Sequence, residues 1–217
     1  MASRFEDLPN ELVWFIMEYI PPIDLFQTFF NLNQRLNTMI CLIHFRFNLF
    51  FTKNNQFDYF RRTILPAIQS DWIESFYLDD ISNRLDSIKI CQNLRSLIIN
   101  HLHTDHLHLL AKDILPEFKQ LTYLHLHSDF ILKNADVNEL TLVIFSEKIP
   151  SLTYCYIAFE DFGRMSFDHL DRTNRTFSLQ TLIINQWCHL RDFIQLLHYI
   201  PNIQRLTVRL FNSNTKG

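Results

Sequence analysis

Leu94-Arg95-Ser96-Leu97-Ile98-Ile99 and, further along, Leu121-Thr122-Tyr123-Leu124-His125-Leu126 follow one pattern: an apolar residue, two others, an apolar residue, one other, an apolar residue. The same cassette reads Ile73-Phe76-Leu78, Leu94-Leu97-Ile99, Leu121-Leu124-Leu126, Leu152-Cys155-Ile157, Leu179-Leu182-Ile184 and Ile203-Leu206-Val208. First members lie 21, 27, 31, 27 and 24 residues apart, the spacing of a unit made from one strand and one helix. Alternation within a cassette predicts a strand that buries one face. Upstream of four cassettes stands a second mark: Ile64-Leu65-Pro66, Ile114-Leu115-Pro116, Ile149-Pro150 and Ile200-Pro201. A helix that ends at a proline before each strand accounts for both marks. Helical stripes are readable in between: Leu107, Leu110, Ala111 and Ile114; Val137, Leu140, Val143 and Ile144; Leu190, Phe193, Ile194 and Leu197. The stretch from Ile81 to Asn93 is too short for a full helix and reads as a loop. Leu97, Leu124, Leu182 and Leu206 should then lie buried on consecutive parallel strands.

Ahead of the cassettes, Phe5 to Ile40 has helical periodicity. Leu8-Pro9 opens a first helix, whose stripe is Leu8, Leu12, Phe15, Ile16 and Tyr19. Pro21-Pro22 stops it, and Asp24 with Gln27 three residues on predicts a capping-box start for a second helix carrying Leu25, Phe26, Phe29 and Phe30. Leu32, Leu36, Met39 and Ile40 suggest a third. Three short helices cannot cover this much apolar surface among themselves, so something else must. From Cys41 the period changes to two: Ile43, Phe45, Phe47, Leu49 and Phe51 predict a first strand, and Phe57, Phe60 and Ile64 a helix ending at Pro66.

Composition narrows the function classes. Glycine occurs only at Gly163 and Gly217, which argues against phosphate-cradling loops and dinucleotide folds. A formal net charge of −3 supplies no global basic field for nucleic acid. The 21 phenylalanines predict an aromatic-heavy core. Cys41, Cys91, Cys155 and Cys188 are scattered without C-x-x-C pairing, which fits free thiols in a reducing compartment. With no apolar run long enough to span a membrane and no secretory signal before Glu6 and Asp7, the expectation is a cytoplasmic or nuclear protein with no membrane partner.

The order Leu-Pro-x-Glu-Leu, then Ile16, Tyr19-Ile20-Pro21, Asp24-Leu25 and a closing Leu36…Ile40 resembles an F-box, the helical module that docks on the SKP adaptor of SCF-type cullin–RING ubiquitin ligases. The resemblance implies that Leu8, Pro9, Leu12, Ile16, Ile20, Asp24 and Leu25 occupy adaptor-facing or module-core positions. The chain departs from the family at the end, reading Asn31-Leu32-Asn33-Gln34-Arg35-Leu36 where many F-boxes read Val-Cys-x-x-Trp. The cassettes resemble a degenerate leucine-rich-repeat solenoid. That family's asparagine, three residues past the last cassette position, is replaced by Leu102, Asp129, Glu160, Trp187 and Phe211, so the turns must be satisfied otherwise. The expected architecture is α/β: a small all-α F-box module over residues 1–41, a short parallel-strand repeat solenoid over 42–211, and a polar tail over 212–217.

His101-Leu102-His103-Thr104-Asp105-His106 spells H-x-H-x-D-H, the metal-binding signature of metallo-β-lactamase-like hydrolases. Imidazoles and an aspartate at that spacing can hold zinc and activate water. The glycines that follow the motif in that family are missing, and the helix stripe claims Leu107 and Leu110. The signature is therefore expected to be a coincidence, with Asp105 and His106 in a helix's first turn and His101 and His103 on different sides. No cofactor and no catalytic residue are expected.

Outward residues of neighbouring cassettes should instead form a recognition face: Arg95, Ser96 and Ile98, Tyr123 and His125, Tyr154 and Tyr156, Thr181 and Ile183, Arg205 and Thr207. Target binding is expected at Arg95, Tyr123, His125, Tyr154, Tyr156 and Arg205. The reading that follows is a non-enzymatic substrate-recognition subunit, with the SKP adaptor and cullin core at one end and a protein target, of unknown identity, at the other. An F-box scaffold acting outside a ligase is the alternative, and a metal hydrolase built on the histidine cluster is a third.

Overall fold

The computed structural model describes residues 5–49, 54–69, 72–79, 85–130, 132–159, 165–170 and 175–211. Phe51 and the polar tail lie outside them. The architecture is mixed α/β, organised on one all-parallel seven-stranded sheet. Its strands are β1 (Phe45–Leu49), β2 (Ile73–Leu78), β3 (Ser96–Ile99), β4 (Tyr123–Ser128), β5 (Tyr154–Phe159), β6 (Thr181–His189) and β7 (Arg205–Phe211). They pair in sequence order, β1 through β7, as consecutive strand–helix units require. Cassette residues pair directly: Phe76 with Leu97, Leu97 with Leu124, Leu124 with Cys155, Cys155 with Leu182, and Leu182 with Leu206.

All cassette residues from Ile73 to Ile184 are buried. The last cassette corrects the expectation, because Ile203, Leu206 and Val208 are only half-buried. Among the described residues β7 pairs only with β6, which leaves its side chains fewer apolar neighbours. The aromatic-heavy core is real: Phe26, Phe45, Phe47, Phe60, Phe76, Phe118, Phe145, Phe159 and Phe167 are all fully buried. Cys91, Cys155 and Cys188 are buried free thiols and Cys41 is half-buried. Burial pushes the Cys91 thiol up to about 12, so it packs as a small apolar group and not as a nucleophile.

Helices α1 (Asn10–Glu18), α2 (Pro22–Phe29), α3 (Gln34–Ile40) and α4 (Asn54–Tyr59) precede β2. The capping box at Asp24 does not form. Pro21 and Pro22 open α2, and Asp24 sits exposed in its first turn with no side-chain cap bond. The true side-chain cap is Asn33, whose Oδ1 accepts from the Leu36 N–H at 2.9 Å and starts α3. Leu32 precedes that helix and is exposed. The N-terminal helices are not separated from the sheet by a boundary in the core. Phe26 of α2 meets Phe45 of β1 with ring centroids 5.4 Å apart, and one apolar cluster runs from Val13 to Ile200.

The two Ile-Leu-Pro marks do more than end helices. After α4, a π-helical turn over Phe60–Ile64 leads into α5 (Leu65–Ala67), carrying the helix one residue past Pro66. Beyond α6 (Leu85–Lys89) and α7 (Thr104–Leu109), another π turn over Leu110–Ile114 leads into Leu115–Glu117. The Leu65 N–H reaches back to the Phe60 carbonyl and the Leu115 N–H to that of Leu110. Proline has no N–H and its ring crowds the carbonyl four residues back, so a widened turn just ahead lets the chain pass it. Helix α6 falls in the stretch expected to be a loop, of which residues 81–84 lie outside the described ones.

Helix α8 (Asn134–Ile144) buries Val137, Leu140, Val143 and Ile144, and Leu107, Leu110, Ala111 and Ile114 are buried as their spacing predicts. Helix α9 (Leu190–Tyr199) does the opposite of its stripe. Leu190, Ile194 and Leu197 are exposed, Phe193 is half-buried, and Asp192, Leu196 and Tyr199 point inward. The Tyr199 hydroxyl donates to the Leu170 carbonyl at 2.9 Å and the Ser166 hydroxyl donates to Asp192 at 3.4 Å, so polar anchoring sets the rotation of this helix.

Polar side chains hold the backbone where the chain enters and leaves the strands. Ahead of β4 and β5, Thr122 and Thr153 each aim both the backbone N–H and Oγ1 at the preceding unit: Thr122 at the Arg95 carbonyl, Thr153 at that of Thr122, with Oγ1 at 3.0 Å in each case. Past the strands, buried Ser128 donates to the Leu102 carbonyl at 2.6 Å, and the Gln186 amide donates to that of Phe159. Buried carbonyls at the turns thus keep partners.

Candidate protein-recognition surfaces

Helix α1 has two apolar faces. Val13 and Met17 are buried against the rest of the molecule. Leu12, Phe15, Ile16 and Tyr19 stand on the other side, with Tyr19 74%, Phe15 58% and Leu12 51% exposed. The Phe15 and Tyr19 rings meet edge-on at 5.1 Å, one turn apart. Arg35 of α3 fixes the start of this helix: Nη2 donates to the Leu8 carbonyl at 2.5 Å and Nε to Asn10 Oδ1 at 2.7 Å.

The seven candidate adaptor residues divide accordingly. Pro9, Leu12, Ile16 and Asp24 are exposed; Leu8 and Ile20 are half-buried against the core; Leu25 is buried in it. Phe15 and Tyr19 belong to the exposed face on the same spacing that picked out Leu12 and Ile16. Beside it, a groove of about 640 Å³ lined by Trp14, Met17, Glu18, Leu42, His44 and Arg46 runs between the helices and the first strand.

The outward face of the sheet is built from two rows, fixed by register. Nearer the N-terminal ends of the strands run Arg46, Ser75, Ser96, Tyr123, Tyr154, Thr181 and Arg205, each opposite the next. Two residues on run Asn48, Tyr77, Ile98, His125, Tyr156, Ile183 and Thr207. The structure thus brings Tyr123, His125, Tyr154, Tyr156 and Arg205 onto one face, with Arg95 exposed one residue ahead of β3. Arg46 and Tyr77 complete the rows. The alternation of β1 placed Arg46 on its outer side, but only pairing shows that it shares a row with Arg205.

The aromatic members stack. Tyr123 and Tyr154 lie 4.4 Å apart at 5° between planes, and His125 and Tyr156 lie 4.2 Å apart at 17°. Parallel strands about 4.8 Å apart present equivalent side chains in register, so flat rings naturally pile up. Burial raises the Tyr123 hydroxyl above its ordinary range, and neighbouring Tyr154 raises it further. The His125 imidazole is held below its ordinary value first by burial and then by the charge of His127.

A depressed histidine binds fewer protons in the folded chain than in the unfolded one, so stability falls as pH drops. For His125 the loss should begin near the unfolded value of about 6.5 and continue down to the lower folded value. His169, lowered chiefly by burial, adds in the same direction. Thermal melts between pH 7.5 and pH 5 should show a falling midpoint, and His125→Gln should flatten the slope relative to the parent chain.

Past the strand ends, the histidine-rich motif is dispersed among other partners. His101, with a positive φ of 49°, bridges carboxylates: its Nδ1 faces Asp129 and its Nε2 lies 3.4 Å from Asp79. His127 Nε2 lies 3.3 Å from Asp129. His103 stacks on Phe130 at 3.7 Å, and its ring stands perpendicular to that of His106 at 6.2 Å. Asp105 is exposed in the first turn of α7. Among the described residues, no group of three or more histidine, cysteine or acidic side chains is arranged to hold a metal ion. No helix among them is long and apolar enough to cross a membrane. Compared with protein-family models, curated proteins and solved structures, the chain finds no match.

Proposed function

We propose that the chain is a substrate-recognition subunit of an SCF-type cullin–RING ubiquitin ligase, with residues 1–41 as an F-box module that docks on the SKP adaptor and the repeat-like α/β part presenting a target. The observation that carries this reading is the second apolar face of α1. Leu12, Phe15, Ile16 and Tyr19 remain in water although Val13 and Met17 already bury the helix on its other side. A helix with two apolar faces has one to spare for a partner, and contiguous exposed apolar side chains mark interaction surfaces. The stacked aromatic face of the sheet supplies a separate surface with the aromatic and arginine content of binding hot spots. Holding both on one continuous core fixes a target relative to the adaptor, so that transfer to its lysines gains from proximity.

Affinity purification of the full chain from cells, followed by mass spectrometry, tests the reading. A SKP adaptor together with a cullin supports it. Adaptor without cullin favours the scaffold alternative, and neither of the two contradicts both.

A further inference from the structure

The row from Arg46 to Arg205 has a chemistry of its own. Its two ends are cationic, and all five positions between them carry hydroxyls. Arg95 adds a third exposed guanidinium beside Ser96. The one carboxylate on the strands at this side, Glu74, stands 3.6 Å from Arg46, whose side chain is nevertheless 80% exposed. Glu74, its side chain 23% exposed, offsets one of the three guanidiniums and leaves this side net cationic. The acids at the other end of the strands, Asp79 and Asp129, are engaged with His101 and His127. The face is therefore net cationic where the strands begin, while Asp79 and Asp129 lie where they end.

We propose that the N-terminal half of this sheet face binds an extended acidic segment of a partner protein, laid across the strands with carboxylates near both of its ends. The row crosses six strand-to-strand steps of about 4.8 Å, roughly 29 Å, which an extended chain spans with about nine residues. Backbone carbonyls of such a segment meet the hydroxyl donors, and its acids meet Arg46, Arg95 and Arg205 in charge-assisted bonds. Tyr123 and Tyr154 stack on one another, so they turn ring edges, which carry positive partial charge, and hydroxyls to the ligand. That favours acceptors over a base that needs an open ring face, and the net charge of −3 opposes a nucleic acid. The proposal rests on reading this face as the target-binding surface and is independent of adaptor docking.

The test pans the full chain against a random dodecapeptide display library and measures the enriched peptides by fluorescence anisotropy. The expected outcome is enrichment of peptides with two or more acidic residues set six to nine positions apart. Their affinity should fall at least tenfold in Arg46→Glu/Arg205→Glu and stay unchanged in Leu12→Ala/Ile16→Ala. Peptides without acidic preference that are nevertheless lost on Tyr154→Ala would overturn the acidic ligand and leave the target-binding face standing. No enrichment, or binding indifferent to every variant on the face, would overturn both. Tighter binding of an oligo(dT) probe than of any peptide would also overturn the proposal.

Discussion

Replacing Phe47 by alanine is expected to lower the free energy of unfolding by about 3–5 kcal/mol. Phe47 is 1% exposed at the centre of β1, where helices and sheet share their core. Its ring lies 4.7 Å from that of Phe60, 5.6 Å from that of Phe45 and 6.0 Å from that of Phe76. Truncation removes the transfer energy of the ring and opens a cavity that neighbours anchored on a strand and a π-turned helix cannot refill. Leu206→Ala, at the one-sided edge strand, should cost only about 1–2 kcal/mol, because much of that side chain is already solvated. Urea unfolding of the two variants against the parent chain measures both. Equal losses would show that the core does not weaken toward β7 as described.

Strand existence and order were legible because a cassette of three apolar positions is a period-two signal repeated six times. What it could not convey was the state of the last unit. Ile203, Leu206 and Val208 have the same residue types as their buried counterparts, and their half-burial comes from strand pairing, not local pattern. Helix α9 misled for a related reason. Periodicity locates an apolar stripe but not the side that faces the core, and here buried Asp192 and Tyr199 take their rotation from partners far back in the chain. The prolines do end their helices, within one residue, but the π turn that lets the chain reach Pro66 and Pro116 depends on backbone relaxation no residue pattern states.

The candidate surfaces were legible in parts. Tyr123, His125, Tyr154 and Tyr156 sit at alternating positions of adjacent cassettes, so their meeting follows from register alone. Arg46 was hidden because β1 does not begin with the cassette. The resemblance gave Leu25 as an adaptor-facing or core position without deciding between them, and the structure buries it. The histidine motif joins in sequence residues that the fold sends to different partners. His101 leaves the strand in a left-handed conformation and turns to Asp79 and Asp129, so its neighbours along the chain are not its neighbours in space.

Leu12→Ala/Ile16→Ala should weaken binding of the SKP adaptor at least a hundredfold and leave the fold in place. Leu12 is 51% and Ile16 37% exposed, so the double truncation should lower the unfolding free energy by only about 1–2 kcal/mol. In a complex, an apolar stripe at helical spacing behaves as a set of anchors, and two of them together account for about 3 kcal/mol or more of binding. Val13→Ala is the informative contrast. Val13 is fully buried, so its loss should lower stability while acting on adaptor binding only through the helix. A variant pair that unfolds the chain would show that the exposed face has a structural partner of its own.

The measurement closest to the central claim is calorimetric titration of the purified full chain with a purified SKP adaptor. A one-to-one complex is expected, with a negative heat-capacity change, the mark of apolar surface leaving water, and its loss in Leu12→Ala/Ile16→Ala. No complex at micromolar concentrations, or one that the double variant binds as tightly as the parent, would contradict it.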